Sequence, residues 1–367
     1  MTPATSPTAG PARCTTVLVT GAGGAAGIAI IRSLLARGDV RVVAADMDRL
    51  ASGLYLVPAA DRVLVPAGLA PDFATAVHHW CEHFGVDVLF PTVDVELPVL
   101  AARRTEFERR GTRLASPSLA TLDVCLDKAA LARRCEGVLP VPRTETLSPA
   151  AAQGRTFPVI VKPRRGAGSR GIELIGSAQE LIALGTDEDR LVQDYLPGDE
   201  FSVDVLAGLD GEVIAAVPRS RLRVDSGISV AGATFHDAEL EAAARAVARA
   251  IDLTTMANVQ LRRDAHGRAA LLEVNPRFPG AMPLTVAAGV DMPSLTLDLV
   301  LGRPVPRAVD FSELAVVRHL DEVFVTAADI DALQSAPVAG PDSDESVTAE
   351  LTIDTVAVIE AASAAHR

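Results

Sequence analysis

Short apolar segments alternate with amphipathic helical runs through the first third of the chain. Residues 15–20 form one such segment, a glycine-rich turn at 21–27 leads into a helical run, and a second apolar segment ends at Asp46. This alternation is typical of βαβ units, in which helices join parallel strands and cover both faces of the sheet. We therefore predict a Rossmann-like α/β domain over residues 15–117, preceded by a disordered leader over residues 1–14.

The sequence pattern changes after this first domain. A helical stretch at 119–135 and a proline-containing link precede a close succession of strand-like segments, which is typical of antiparallel α+β folds. A helix is predicted at 237–251, followed by a hairpin with His266 and Gly267 at its turn. From about Thr326 the sequence is rich in Ala, Asp, Ser and Glu, which predicts either partial disorder or a small peripheral element.

Composition and charge exclude several classes of function. Hydrophobic residues make up 49% of the chain but aromatic residues only 4%, which predicts a core of Ala, Val, Leu and Ile, as in parallel α/β proteins. A formal net charge of −13 lacks the broad positive field that nucleic acids and anionic membranes require. No apolar run reaches the roughly 18 residues of a membrane span, and the first residues lack the apolar region of a signal peptide. We predict a cytoplasmic enzyme with no nucleic-acid or membrane partner.

Lysine and asparagine are both very rare in this chain. Of the 34 basic residues only Lys128 and Lys162 are lysine, and asparagine occurs only at Asn258 and Asn275. Arginine evidently serves wherever a cation only has to be solvated. The two lysines are therefore candidates for positions that need a compact ammonium group, which the planar guanidinium cannot replace.

A glycine-rich loop follows Lys162, which ends an apolar strand-like segment. Gly166 and Gly168 free the backbone so that its N–H groups can approach phosphate oxygens, and Ser169 adds a hydroxyl donor. This pattern predicts a flexible phosphate-binding lid. The alternative is a hairpin in which the glycines serve only the geometry of the turn.

An extended segment further along could bind the base and sugar of a nucleotide. The backbone at Gln193, Asp194, Tyr195 and Leu196 is suited to hydrogen bonds with an adenine edge, and the carboxylate of Glu200 could accept from ribose hydroxyl groups. The alternative is an ordinary strand pair with a Pro-Gly turn.

The strongest site pattern lies in the hairpin. Glu273 and Asn275 are two residues apart on one strand and therefore point to the same face, where Gln260 on the partner strand can meet them. Three side-chain oxygen donors then converge, as Mg²⁺ requires. Arg277 would face the same region. In the alternative interpretation, Glu273 pairs with Arg277 and Asn275 caps a turn.

Other residues are weaker candidates for the site. Arg219 and Arg221 share a face if their segment is a strand, and either could bind the carboxylate of a substrate, although solvated surface arginines are an equal alternative. Asp94 and Glu96 border the site from the first domain. The glycine turn together with Asp46 approximates a dinucleotide fingerprint, but the same glycines are needed for a tight strand-to-helix turn.

In combination these motifs resemble the ATP-grasp superfamily, closest to the branch that contains the carbamoyl-phosphate-synthetase large subunit and pyrrolysine-biosynthesis-type ligases. The resemblance covers residues 17–301 and rests on Asp127-Lys128, the VKP at Lys162, the glycine loop, QDYLPGDE, Gln260 and EVNPR. It implies a pre-ATP-grasp domain followed by two α+β subdomains that enclose ATP. The lid subdomain would cover 118–195, the C-terminal subdomain 196–305 and a C-terminal extension 306–367.

The resemblance also implies roles for residues and a reaction. Lys128 and Lys162 would contact the ATP phosphates, 193–196 adenine and Glu200 ribose. Mg²⁺ would be held by Gln260, Glu273 and Asn275, while Arg277 steadies the transferring phosphoryl group. The implied function is an ATP-dependent carboxylate-amine or carboxylate-thiol ligase that forms an acyl-phosphate and acts on small molecules. A homodimer is compatible with this function. The alternatives are an NAD(P)-binding oxidoreductase and a non-catalytic nucleotide-binding regulator.

Overall fold

The computed structural model describes residues 14–166, 170–225, 228–319 and 321–336. The predicted leader, except for its last residue, and the chain from residue 337 onward lie outside the described residues, as do Gly168 and Ser169. Contacts group the chain up to Ala336 into one unit. Within the described residues, no helix has the length and apolar character needed to cross a membrane.

A six-stranded sheet forms the first domain, and all its neighbouring strands are parallel. Val17, Leu18 and Val19 on its central strand are fully buried because helices cover both faces. The α/β prediction is thus confirmed. Two short helices at the end of this domain meet at Arg103. The elements are β1 (Thr15–Val19), α1 (Ala25–Arg37), β2 (Val40–Asp46), β3 (Arg62–Leu64), α2 (Phe73–Phe84), β4 (Val88–Phe90), α3 (Glu96–Ala102), α4 (Arg104–Arg109) and β5 (Arg113–Leu114).

The lid region consists of two helices and a four-stranded antiparallel sheet with the order β6-β9-β7-β8. The predicted helical stretch at 119–135 is interrupted at Asp127, whose side chain caps the second helix. Leu147, Val159 and Val192 are completely buried in a small core of this region. The elements are α5 (Leu119–Leu126), α6 (Lys128–Cys135), β6 (Thr144–Leu147), β7 (Val159–Pro163), β8 (Glu173–Ile175), α7 (Ala178–Ala183) and β9 (Asp187–Asp194).

A second four-stranded antiparallel sheet follows, with the order β11-β10-β14-β15. Alternate residues such as Val203 and Val259 are buried against α8. On the opposite face, Leu206 packs into the core that contains the first sheet, while Gln260 belongs to a polar part, here called the polar face, that meets the lid region at a cavity. The predicted hairpin is confirmed, and Gly267 has a φ of +77° at its turn. The elements are β10 (Glu200–Ala207), β11 (Val213–Ser220), α8 (Ala238–Ala250), β14 (Thr255–Arg263) and β15 (Ala269–Asn275).

The remaining elements belong to the end of the chain and to a small third sheet with the order β12-β13-β16. The C-terminal extension does add a peripheral element, because β17 pairs in parallel with β3 at the edge of the first sheet. The predicted boundaries at 117, 195 and 305 stay predictions. These elements are β12 (Arg223–Asp225), β13 (Ile228–Ala233), α9 (Met282–Ala287), α10 (Met292–Leu301), β16 (Ala315–Val317), α11 (Ala327–Asp331) and β17 (Gln334–Ser335).

Candidate active site

A cavity lies between the lid sheet and the polar face of the second antiparallel sheet. Residues that the sequence placed in three separate motifs meet in its wall. The predicted site residues that line it are Lys128, Lys162, Gly166, Gln193, Glu200, Gln260 and Glu273.

Lys162 points into this cavity from the end of β7. It is only 5% exposed, and its Nζ donates to Oε1 of Gln193 at 2.8 Å. Gln193 in turn donates from Nε2 to the hydroxyl of Thr144 at 2.8 Å, which fixes the orientation of its amide. Burial lowers the pKa of Lys162 to about 8, although the carboxylate of Glu273 opposes this effect. The ammonium group is therefore held in place but poorly solvated, so it would gain strongly from an anionic ligand.

Lys128 enters the same cavity from the first residue of α6. Its Nζ donates to the carbonyl of Gly166 at 2.7 Å and lies 4.0 Å from Oε2 of Glu273. Its backbone N–H donates to the carbonyl of Arg164 at 3.1 Å. These contacts join the start of the glycine loop to the face that carries the predicted metal ligands.

Asp127 positions Lys128. Its Oδ1 accepts from the backbone N–H groups of Ala129 and Ala130 at 3.0 and 3.1 Å, and its carboxylate pairs with Arg164 at 2.7 Å. Burial raises the pKa of Asp127, but Arg164 and the backbone donors outweigh this effect and lower it to about 2. The sequence motif contained Asp127 without a role for it. The detectable signal was an N-cap residue directly before a helical run.

The three predicted metal ligands converge as expected from their spacing. Gln260 and Glu273 are directly paired across β14 and β15, and both line the cavity. Asn275 donates from Nδ2 to Oε1 of Glu273 at 3.2 Å, so its side chain lies on the same face. One carboxylate and two amide oxygens fit a hard cation that completes its shell with water and phosphate oxygens.

Arg277 does not pair with Glu273. Its Nε and Nη2 donate to the two carboxylate oxygens of Asp94 at 2.7 and 2.9 Å. The salt-bridge alternative for Glu273 is therefore wrong, and Glu273 instead faces Lys128. Asp94 lies just after β4 in the first domain, so this bidentate pair connects the parallel sheet to the end of β15.

The two candidate substrate arginines occupy different environments. Arg219 is 2% exposed, and its guanidinium makes a bidentate pair with the fully buried Asp204 at 2.7 and 2.9 Å. Asp204 also accepts from Asn258 at 2.7 Å, which accounts for the second asparagine of the chain. The prediction that Arg219 is available to a substrate needs correction, because burial and Asp204 already occupy its guanidinium. Arg221 pairs with Glu200 at 3.1 Å at the border of the cavity.

Of the predicted adenine segment, only Gln193 lines the cavity. The carboxylate of Asp194 instead pairs with the buried Arg155 at 2.5 Å, and the ring of Tyr195 lies 5.6 Å from the guanidinium of Arg262. Leu196 is buried. Any contact of these three residues with a base would therefore come from the backbone or from packing. The apolar walls of the cavity were not predicted, because their side chains come from separate parts of the chain: Ile160, Ile172 and Leu272.

The carboxylate of Asp46 holds the glycine turn of the first domain in place. Oδ2 of Asp46 accepts from the backbone of Gly23 at 2.8 Å, and Oδ1 accepts from that of Asp48 at 3.0 Å. A Cβ atom on Gly27 would lie 2.3 Å from the carbonyl oxygen of Gly21, so the turn requires glycine there for steric reasons. These contacts favour the structural interpretation of the motif over a dinucleotide site.

Comparison with known proteins agrees with this architecture. Residues 186–323 match the family model described as ATP-grasp in the biosynthetic pathway with Ter operon, and residues 17–115 match the PylC-like N-terminal domain. The biotin carboxylase of Campylobacter jejuni, solved with a β,γ-ATP ligand, has a TM-score of 0.66 at 16% identity, covering 80% of this chain and 72% of that one. The N5-carboxyaminoimidazole ribonucleotide synthetase of Thermotoga maritima has a TM-score of 0.61 at 15% identity, covering 81% and 78%. The chain thus has an ATP-grasp fold, and the predicted resemblance is confirmed.

Two curated relatives are ligases or synthases. The D-alanine–D-alanine ligase of Stutzerimonas stutzeri (strain A1501) is 30% identical over 194 residues, which are 44% of this chain and 60% of that protein. The arginine-specific carbamoyl phosphate synthase large chain of Bacillus subtilis (strain 168) is 29% identical over 221 residues, which are 53% of this chain and 21% of that protein. The matches therefore span less than two thirds of each relative.

Proposed function

We propose that this protein is an ATP-dependent, ADP-forming ligase that joins a small-molecule carboxylate to an amine or thiol through an acyl-phosphate. The observation that carries the proposal is the meeting of Lys128 and Lys162 in one cavity with the oxygen donors Gln260 and Glu273. Both lysines of a chain that otherwise uses arginine line this cavity, which supports the assignment of the ATP phosphates to it.

Within this proposal, each part of the nucleotide has a matching part of the cavity. Lys128, Lys162 and the glycine loop with Gly166, Gly168 and Ser169 hold the phosphates, while segment 193–196 holds adenine between the apolar walls. Glu200 holds the ribose. The side chains of Gln260, Glu273 and Asn275 would hold Mg²⁺, which neutralises phosphate charge when bound.

The chemistry follows from charge. A carboxylate and the γ-phosphate of ATP repel each other, so the site must neutralise the phosphate oxygens while it aligns the two reactants. Lys128 and Lys162 provide compact positive charges, and Arg277, oriented by Asp94, steadies the phosphoryl group. The carboxylate oxygen attacks the γ-phosphorus and ADP leaves. The amine then attacks the acyl carbon, phosphate leaves, and the nitrogen loses its proton to water.

The reaction can be tested directly with purified protein, ATP, Mg²⁺ and pools of amino acids that supply both carboxylates and amines. We expect release of ADP and phosphate in equal amounts with at least one pool. Tight ATP binding without ADP release in any pool would instead support the regulator. Quenching of NADH fluorescence by the protein would support the oxidoreductase, which the contacts of Asp46 disfavour.

The homodimer stays a proposal, and sedimentation of the same preparation tests it.

Glu273→Gln tests the metal ligands. Replacing the one carboxylate of the group by an amide should weaken Mg²⁺ binding, so turnover should fall at least tenfold and require more Mg²⁺. The melting temperature should stay within about 2 °C, because Glu273 is partly exposed and its nearest cation is 4.0 Å away. Glu173→Gln is the matched control, since Glu173 pairs with Arg190 outside the cavity. An unchanged magnesium titration in the Glu273 variant would remove the metal assignment.

A further inference from the structure

Two of the arginines that the sequence singled out each have a carboxylate partner. Arg219 pairs with Asp204 and Arg277 with Asp94, both in bidentate geometry. Such pairing neutralises a guanidinium that is partly or fully withdrawn from water. The charge of each of these two guanidinium groups is therefore balanced by a carboxylate within the protein.

Arg318 differs from this pattern. It follows β16 in the C-terminal extension and is half-buried. Its backbone N–H donates to the carbonyl of Val230 at 3.1 Å, and its Nη2 donates to the carbonyl of Gly280. Among the residues that the structure describes, Arg318 has no carboxylate partner. Burial lowers the pKa of Arg318, and the positive charge of Arg219 adds to this effect.

The position of Arg318 relates it to the proposed reaction. Gly280 lies in the loop between β15 and α9, five residues after Asn275 and three after Arg277. Arg318 is near enough to Arg219 for the positive charge of Arg219 to lower the pKa of Arg318. Neither Arg318 nor Arg277 lines the cavity that would receive the ATP phosphates. Arg318 thus lies beside the loop that leaves the metal face, beyond the phosphate cavity.

We propose that Arg318 binds a second carboxylate group of the acid substrate, distinct from the one that is phosphorylated. The identity of the ligand as substrate rests on the proposed ligase function. The reacting carboxylate must reach the γ-phosphate beside the metal ligands and Arg277, so Arg318, which does not line the cavity and contacts the loop at Gly280, would meet another part of the acid. Nε and Nη1 of Arg318 have no acceptor among the described residues, and Nη2 has a second N–H besides the one given to Gly280. A carboxylate can accept from Nη2 together with either Nε or Nη1 in the usual forked geometry.

The energetics favour an anion at this place. A half-buried guanidinium has lost part of its hydration, and Arg318 has no described carboxylate to compensate for that loss, which is costly. A bound carboxylate would supply that charge at a site where solvent screening is reduced. The competing interpretation is structural, with Arg318 only tying β16 to the loop through the carbonyl of Gly280. The experiment must therefore separate ligand binding from a structural tie.

The test uses the full chain with Mg²⁺ and a non-hydrolysable ATP analogue, titrated calorimetrically with succinate, L-aspartate and L-glutamate. Each is compared with its monoamide, which has one carboxylate fewer: succinamate, L-asparagine and L-glutamine. We expect the wild-type chain to bind at least one dicarboxylate at least tenfold more tightly than the monoamide. Arg318→Met should abolish this preference without changing affinity for the analogue, and Arg318→Lys should restore only part of it.

Arg113→Met is the matched control, because Arg113 also donates to a main-chain carbonyl, that of Val300, at 2.6 Å. It should keep the preference for the dicarboxylate. The proposal is overturned if the wild-type chain shows no preference in any of the three pairs, if Arg318→Met retains it, or if Arg113→Met loses it equally. If the preference for the dicarboxylate depends on Arg318 but the protein does not turn over ATP, the proposed ligase function is overturned and the carboxylate site stands. If the protein is an active ligase but shows no such preference, the carboxylate site is overturned and the ligase function stands.

Discussion

The ammonium group of Lys162 is buried and has one hydrogen-bond partner of fixed orientation. It is buried in the lid sheet and donates to Gln193, whose amide is itself held by Thr144. Lys128, by contrast, reaches the cavity from a helix start and contacts the backbone of the glycine loop. The two lysines therefore differ in how much change each position tolerates.

Lys162→Arg should lose at least tenfold in turnover although it keeps the charge. The larger planar guanidinium cannot occupy the buried place of Nζ without displacing Gln193, and it would not present a point charge to the phosphates. Phosphate release under saturating ATP measures the effect. Arg190→Lys, on the outer part of the same sheet, is the control for a cation exchange and should leave turnover intact. Turnover like that of the wild type in Lys162→Arg would argue against its role.

The carboxyl group of Glu96 should make stability depend on pH. It is buried and accepts from the hydroxyl of Thr20, and burial raises its pKa from 4.5 to about 7, with a smaller contribution from Asp46. Because the folded state binds the proton more tightly, this contribution to stability is fully present below about pH 4.5 and is lost as the pH rises through about 7. The difference between the two pKa values corresponds to about 3 kcal/mol.

Glu96→Gln removes this titration while it keeps an acceptor for Thr20. The decrease in the free energy of unfolding between pH 5 and pH 8 should therefore be smaller in the variant by about 2 to 3 kcal/mol. Urea unfolding at the two pH values measures it. Glu108→Gln, on the surface of α4, should behave as the wild type does. Parallel pH profiles for wild type and Glu96→Gln would show that Glu96 titrates normally.

At the scale of elements, the N-terminus of the short helix α6 is both capped and joined to the lid sheet by the same residue. Asp127 caps it and pairs with Arg164 at the end of β7, so the cap also joins the helix to the lid sheet. Helix α5 ends where α6 begins and has its own cap, since the hydroxyl of Ser118 accepts from the N–H of Thr121. Two neighbouring helices of equal length thus differ in whether their start adjoins the cavity.

Asp127→Ala should lower stability and weaken ATP binding together. Loss of an N-cap costs about 1 to 2 kcal/mol, and Lys128 would lose the helix start that directs it into the cavity. Ser118→Ala should cost a similar amount of stability but leave ATP affinity unchanged. Chemical denaturation and calorimetric ATP titration of both variants provide the comparison. Equal effects of the two variants on ATP affinity would reduce Asp127 to a purely structural residue.

At the scale of the whole molecule, ion pairs connect the parallel-sheet domain to later parts of the chain, and two of them are closely comparable. Asp94 pairs with Arg277, and Arg37 on α1 pairs with Asp298 on α10 at 3.0 Å. The side chains of both aspartates are 22% exposed, so their surroundings are comparable. Only the first pair orients a residue next to the predicted metal ligands.

Asp94→Asn should therefore lower turnover at least tenfold with little change in ATP affinity, because Arg277 is no longer fixed against the transferring group. Asp298→Asn should leave turnover unchanged. Both should lower the melting temperature by no more than a few degrees, as expected for partly exposed ion pairs. Steady-state rates and thermal unfolding of the two variants distinguish the cases. Full activity in Asp94→Asn would separate Arg277 from catalysis.

Local patterns in the sequence predicted the parallel first sheet and the charged and amide side chains of the cavity, whereas the two subdomains around ATP were predicted from the resemblance. Period-two spacing placed Glu273 and Asn275 on one face, and the rarity of lysine pointed to Lys128 and Lys162. The shared face of Glu273 and Asn275 is a local feature, because backbone geometry alone decides which neighbouring side chains point in the same direction. The parallel first sheet and the β14–β15 hairpin were predicted for the same reason.

Long-range pairing was decided only in the tertiary structure. Arg277 meets Asp94 across 183 residues of chain, and the last described strand, β17, returns to β3. Arg219 and Arg318 look alike in the sequence, yet one is neutralised by Asp204 and the other has no described counter-charge. No local rule distinguishes them, because the partner of a charged side chain depends on which distant segments pack together, and burial then determines how strongly that partner is needed.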